Sequence, residues 1–203
     1  MKYAKKSLGQ NFLIDKNIIK KIINIIEIKN KNIIEIGPGN GALTEELLKK
    51  KPKSLILIEK DYNLTKKLEE KYNENKSIKI FNADILKFDI DKIENKNSAI
   101  FGNLPYNISS QILIKFIKQK KWPPKYGDII FMFQKELGEK IIGKFPSKNY
   151  GRISVISNYK FNISGKFLVS PNCFFPKPKV TSIVIHFIPK KDKLYKIKNI
   201  TNL

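Results

Sequence analysis

Short apolar runs alternate with amphipathic stretches along most of this chain, and that alternation constrains its fold more than any other feature. Runs at 32–36, 54–59, 78–81, 99–103 and 128–134 are rich in Ile, Leu and Phe and too short for buried helices, so they read as buried strands. Between them, 41–50, 61–72, 109–118 and 135–142 carry apolar residues at helical spacing. A β-α-β-α order implies a parallel sheet with helices on both faces, a doubly wound α/β domain. A helix is predicted over 15–28, before the first strand, and another over 153–159. Two further strands, 162–169 and 180–188, flank a link holding Pro171, Pro176 and Pro178 and are expected to pair antiparallel at the sheet edge. The domain is placed at 1–188, with 189–203 a polar tail.

Composition narrows the function classes. A chain of 203 residues, 41% hydrophobic, buries one sizeable core. No apolar run reaches the roughly 18 residues that span a bilayer and residues 1–10 lack a secretory signal's apolar segment, so a soluble cytoplasmic protein is expected. One cysteine, Cys173, and one histidine, His186, exclude an internal disulfide and a Cys/His metal cluster. His186, on a strand of alternating apolar residues, reads as a surface or sheet residue and not a catalyst, and Cys173 and Trp122 take the same reading. A net charge of +22 attracts polyanions. All but Arg152 of the 40 basic residues are lysine, so genome bias and a nucleic-acid partner both remain open.

The first strand runs into Glu35-Ile36-Gly37-Pro38-Gly39-Asn40-Gly41, with helix-forming residues directly after. Glycines there let backbone approach a ligand closely. The spacing is G-x-G-x-G, not the G-x-G-x-x-G of dinucleotide sites, and it resembles the S-adenosylmethionine loop of class I methyltransferases. Glu59, ending the second strand, stands where an acid accepts from a ribose diol. Asp84, after the third, is positioned to accept from an adenine amine.

The fourth strand ends in Asn103-Leu104-Pro105-Tyr106. An adenine amine is a poor nucleophile because its lone pair is delocalised into the ring. The Asn103 amide oxygen and the Leu104 carbonyl are each suited to accept one of its N–H groups. Pro105 stiffens the turn and adds no competing donor. Tyr106 offers a ring face to an extruded base.

Four motifs in this order, 6–13 (Lys-Ser-Leu-Gly-Gln-Asn-Phe-Leu), 35–44, 103–109 and 175–180 with Ser182, resemble the ribosomal RNA adenine N6-dimethylases over nearly the whole chain. The resemblance implies a class I, Rossmann-like fold that uses S-adenosylmethionine. It implies that Asn11 and Leu13 close over the methionine end of the cofactor, with Asn103 beside it. Gly37, Gly39, Glu59, Asp84 and Ile85 are implied to hold the rest, and Tyr106 and Phe175 to sandwich the target base. The implied substrate is small-subunit rRNA or the assembling subunit, dimethylated at two adjacent adenosines in a hairpin loop near the 3′ end, by a monomer needing neither metal nor membrane. The family continues into a small helical C-terminal domain, of which 189–203 reads as the start. Residues 103–109 and 150–154 look more like the small-subunit enzyme than the large-subunit resistance type. That second enzyme, a protein-amine methylase with an Asn-Pro-Pro-Tyr turn, and a non-catalytic assembly factor are the alternatives. Leu104 in place of a first proline argues against the protein substrate, and the intact motifs argue against loss of catalysis.

Overall fold

The structure, a computed structural model, describes residues 9–191 apart from 94. Lys6, Ser7 and Leu8 of the first motif, and the tail beyond 191, lie outside the described residues.

Strands β1 (Phe12–Leu13), β2 (Asn32–Ile36), β3 (Ser54–Glu59), β4 (Ile78–Asn82), β5 (Ser98–Asn103), β6 (Tyr126–Gln134), β7 (Phe161–Val169), β8 (Phe174–Phe175) and β9 (Ser182–Pro189) form two sheets. The larger has the order β4-β3-β2-β5-β6-β9-β7. Its first five strands are parallel. β9 runs antiparallel to both β6 and β7, so the two late strands pair as expected, with β9 inserted between β6 and β7. Helices α1 (Lys16–Ile23), α2 (Ala42–Lys49), α3 (Tyr62–Tyr72), α4 (Ser109–Ile117), α5 (Lys135–Ile141) and α6 (Arg152–Lys160) cover the sheet.

Side-chain alternation divides the core in two. Ile34, Ile36, Ile56, Ile58 and Ile100 face Ile112, Leu113 and Phe116 of α4. Ile33, Leu55, Leu57, Ala99 and Phe101 face α1 and α2 through Ile19, Ile22, Leu43 and Leu47. β2 lies between β3 and β5, so the chain's direction of travel across the sheet reverses beside it. A crevice opens there, at the carboxyl ends of the strands.

Three expectations need adjustment. The first helix stops at Ile23, not at 28. The Asp15 side chain caps it by accepting from the amides of Asn17 and Ile18 at 2.8 and 3.0 Å. Beyond Asn24 the chain leaves the helix and turns inward instead, and Ile28 is fully buried. The last strand begins at Ser182 and runs through Pro189, one residue past the expected domain boundary. β1 and β8 form an unforeseen antiparallel ribbon, pairing Phe12 with Phe175 and Leu13 with Phe174. Two-residue strands carry no readable alternation, which is why the sequence hides them.

Of the surface or sheet placements expected for His186, the structure shows the sheet, on β9, and buries the side chain there. Its Nε2 meets Asp128 Oδ1 at 2.8 Å, while Lys31 Nζ reaches Oδ2 at 3.0 Å. Burial raises the Asp128 pKa, but His186 and Lys31 together outweigh it and hold the carboxyl below its usual range. Trp122 packs edge-on against Phe161 at 5.4 Å with Lys160 over its ring at 4.2 Å. Cys173 is a free, buried thiol. Among the described residues no helix is long and apolar enough to cross a membrane, and no three His, Cys, Asp or Glu side chains are grouped to hold a metal.

Candidate active site

The crevice is a cavity of about 180 Å³ at the carboxyl ends of β2, β3 and β5. The loop after β2 takes left-handed backbone at Gly37, Gly39 and Gly41, with φ of 65°, 57° and 81°. L-residues with a Cβ avoid that region. At Gly39 space adds a second reason: a Cβ there would lie 2.9 Å from the Phe12 ring. The loop is therefore a bare backbone cradle, and the N-terminal segment packs across it.

Glu59 is 6% exposed and accepts from the amides of Gly39 at 3.1 Å and Asp61 at 2.8 Å. It locks the glycine loop to the end of β3. Burial raises its pKa, against the lowering effect of those two amides. A carboxylate has about four acceptor sites, so two amides leave room for the hydroxyls of a ribose. Asp84 accepts from the Leu86 amide at 2.9 Å and pairs with Lys60 at 2.9 Å. The Lys60 ammonium keeps its carboxyl below the ordinary range.

Asn103 donates through Nδ2 to the main-chain carbonyl of Asn11 at 3.0 Å. Its Oδ1 has no partner among the described residues. Leu104 is 2% exposed and anchors the turn in the core. Tyr106 is fixed at its far end by a 2.6 Å hydrogen bond between its hydroxyl and Ser182 Oγ. Burial raises the Tyr106 pKa, so the phenol stays protonated at neutral pH.

Asn11, Leu13, Gly37, Gly39, Glu59, Asp84, Ile85, Asn103, Leu104 and Tyr106 all line this one crevice. Phe175 does not. It is 44% exposed beside Phe12, on the ribbon that flanks the opening.

Two further residues belong to the site. Glu35 is 1% exposed and accepts from Thr44 Oγ1 at 2.7 Å, joining the end of β2 to α2 beneath the glycine loop. Burial pushes its pKa up to about 8. The visible signal was an acid inside an otherwise apolar strand. Lys60 gave no comparable signal, because one lysine among 39 points nowhere.

A strand-order reversal, a glycine cradle closed by Glu59, and an amide-bearing turn at the end of β5 define a Rossmann-like methyltransferase. Solved relatives share this architecture. A dimethyladenosine transferase from Plasmodium falciparum superposes with a TM-score of 0.77 at 30% identity, over 88% of this chain and 63% of that one. The 23S rRNA methyltransferase ErmE gives 0.76 at 27% identity, over 95% of this chain and 75% of that one. In sequence, residues 1–203 match the ribosomal RNA adenine dimethylase family. Ribosomal RNA small subunit methyltransferase A of Pelagibacter ubique is 46% identical over 98% of this chain and 75% of its own length. Its namesake from Francisella tularensis subsp. novicida is 45% identical over 94% and 72%. The chain belongs to the ribosomal RNA adenine dimethylase family, whose methyl donor is S-adenosylmethionine.

Proposed function

We propose that this protein dimethylates the N6 amines of adjacent adenosines in a hairpin loop near the 3′ end of small-subunit rRNA, during assembly of that subunit. The observation that carries the chemistry is the unpartnered Asn103 Oδ1 beside the bare glycine cradle. S-adenosylmethionine supplies an electrophilic methyl group when bound. Glu59 would accept from its ribose, Asp84 and Ile85 would hold its adenine, Gly37 and Gly39 would leave it room, and Asn11, Leu13 and Asn103 would enclose its methionine end.

Asn103 Oδ1 and the Leu104 carbonyl each accept one N–H of the target amine, concentrating electron density on the nitrogen. Neither needs to act as a strong base. Tyr106 stacks on the extruded adenine, its ring held by Ser182, and Phe175 covers the base from the ribbon side. The small-subunit target is favoured by the names of the relatives at 45–46% identity, over the large-subunit action named for the 27% identical neighbour. On this reading the enzyme acts as a monomer, in the cytoplasm and without a resident metal.

The test offers labelled S-adenosylmethionine with small subunits lacking adenine dimethylation, naked small-subunit rRNA and large subunits, and maps the product. Label on adjacent adenines of the small subunit is expected. Label confined to large subunits, or none on any RNA, overturns the reading.

A further inference from the structure

Phe145, at 81%, is the most exposed large hydrophobic side chain among the described residues. It lies in the turn between α5 and α6 and meets Tyr150, 44% exposed, edge to face at 6.0 Å. In such a pair each ring keeps at least one face uncovered by the other.

The turn is a built structure. The Ser147 amide donates to the Lys144 carbonyl at 2.8 Å, the Tyr150 amide to the Ser147 carbonyl at 3.0 Å, and the Gly151 amide to the Ser154 hydroxyl at 2.8 Å. Its two ends clasp at Gly143, where a Cβ would lie 2.5 Å from the Asn149 carbonyl oxygen. Two adjoining solvent-facing rings on a hydrogen-bonded turn form an apolar patch of the kind that marks an interaction site.

The surroundings define that occupant. Lys144, Lys148 and Arg152 are exposed and have no carboxylate partner among the described residues. A protein partner would favour rings set in continuous apolar surface. Rings interleaved with unpaired cations and polar Ser147 and Asn149 match bases alternating with phosphates. The turn is joined to the catalytic end of the sheet through α5, which starts directly after β6, three residues past Met132, the partner of Asn103.

We propose that the 144–152 turn is a second RNA-contact surface, where Phe145 and Tyr150 stack an unpaired base while Lys144, Lys148 and Arg152 hold flanking phosphates. This rests on the RNA-methylation reading and adds where the RNA is gripped outside the crevice.

The test uses the full chain with two RNA probes of equal phosphate number, a hairpin with an unpaired purine loop and a blunt duplex. Phe145→Ala/Tyr150→Ala should bind the hairpin about tenfold more weakly and the duplex unchanged. Phe145→Leu should lose affinity like Phe145→Ala, since it keeps apolar bulk without a ring face. Lys144→Gln/Lys148→Gln/Arg152→Gln should lower the log–log salt slope by about 2. Each variant should keep the wild-type circular dichroism and S-adenosylmethionine affinity, with KM for the hairpin raised and kcat unchanged. Wild-type hairpin affinity in the double alanine variant, or full rescue by leucine, overturns the proposal, the second outcome indicating an apolar protein partner. A wild type that binds the hairpin but methylates no RNA would sink the functional reading and leave this surface standing. Methylation with an unchanged KM in the turn variants would do the reverse.

Discussion

Asn103 reaches across the crevice mouth to the main chain of Asn11, 3.0 Å from its Nδ2, so one amide both tethers the N-terminal segment and leaves its oxygen free for an acceptor's work. Asn103→Ala removes both. Single-turnover methylation should fall by about 10²–10³, the scale of losing one preorganised polar group at a reacting centre. Cofactor affinity should fall far less. Wild-type turnover in that variant would refute the acceptor role.

Tyr106 and Ser182 act as a pair. Tyr106→Phe and Ser182→Ala should each cost about 1 kcal/mol of stability, and the double variant little more than either, because the same bond is lost. Tyr106→Phe should retain much activity. Tyr106→Ala forfeits stacking of about 1–3 kcal/mol in RNA-dependent steps. Additive losses in a denaturation cycle would show the 2.6 Å contact to be energetically empty, and equal turnover losses for Phe and Ala would assign the role to the hydroxyl.

Glu59 and Asp84 should separate from the tetrad in binding assays. Glu59→Ala removes the acceptor for two buried amides as well as the proposed ribose contact, and charge-assisted bonds are worth about 1.5–3 kcal/mol each. Calorimetry should show S-adenosylmethionine affinity reduced more than tenfold for Glu59→Ala, and reduced for Asp84→Ala. Unchanged affinity in both would overturn the cofactor assignment. NADH should not bind, given the glycine spacing. RNA affinity should fall steeply with salt while cofactor affinity hardly moves, and a flat RNA profile would return the lysines to genome bias.

Glu35 makes stability depend on pH. Its pKa is raised from 4.5 to about 8 in the folded chain. Between those values the native state holds a proton that the unfolded chain has released, so stability falls as pH rises across that window. Glu35→Gln should remove this slope while keeping an acceptor for Thr44. Its Tm should converge on wild type as pH falls below the unfolded value of 4.5 and exceed it by at least about 4 °C near pH 8.5. Parallel Tm curves for the two proteins would show that Glu35 ionises normally.

The sequence was most legible where periodicity and chemistry coincide. The runs at 32–36 and 54–59 are β2 and β3 to the residue, because continuous apolar stretches between polar turns admit one reading. Asn103, Tyr106, Glu59 and Asp84 stood out as polar groups at strand ends, and they meet in one crevice. Contacts made by chance of three-dimensional approach were not legible. Nothing near residue 60 announces that Lys60 pairs with Asp84, and no local pattern sets Phe12 on Gly39 or against Phe175. Glu35 was visible as an acid in an apolar strand, yet its Thr44 partner and its raised pKa depend on how α2 packs.

The β1–β8 ribbon joins residues more than 160 positions apart, and such distant pairings form late because they close long loops. On the translating ribosome the glycine cradle and Glu59 emerge long before Phe174 and Phe175 do. A half-made chain has a cradle with an open side, and the cover over its ligand arrives only once nearly all of the domain has been synthesised. If the ribbon holds the N-terminal segment over a bound methyl donor as proposed, tight retention of that donor reports a finished fold, and an enzyme released early by a broken message would carry its glycine loop and tetrad without the strand that anchors their cover.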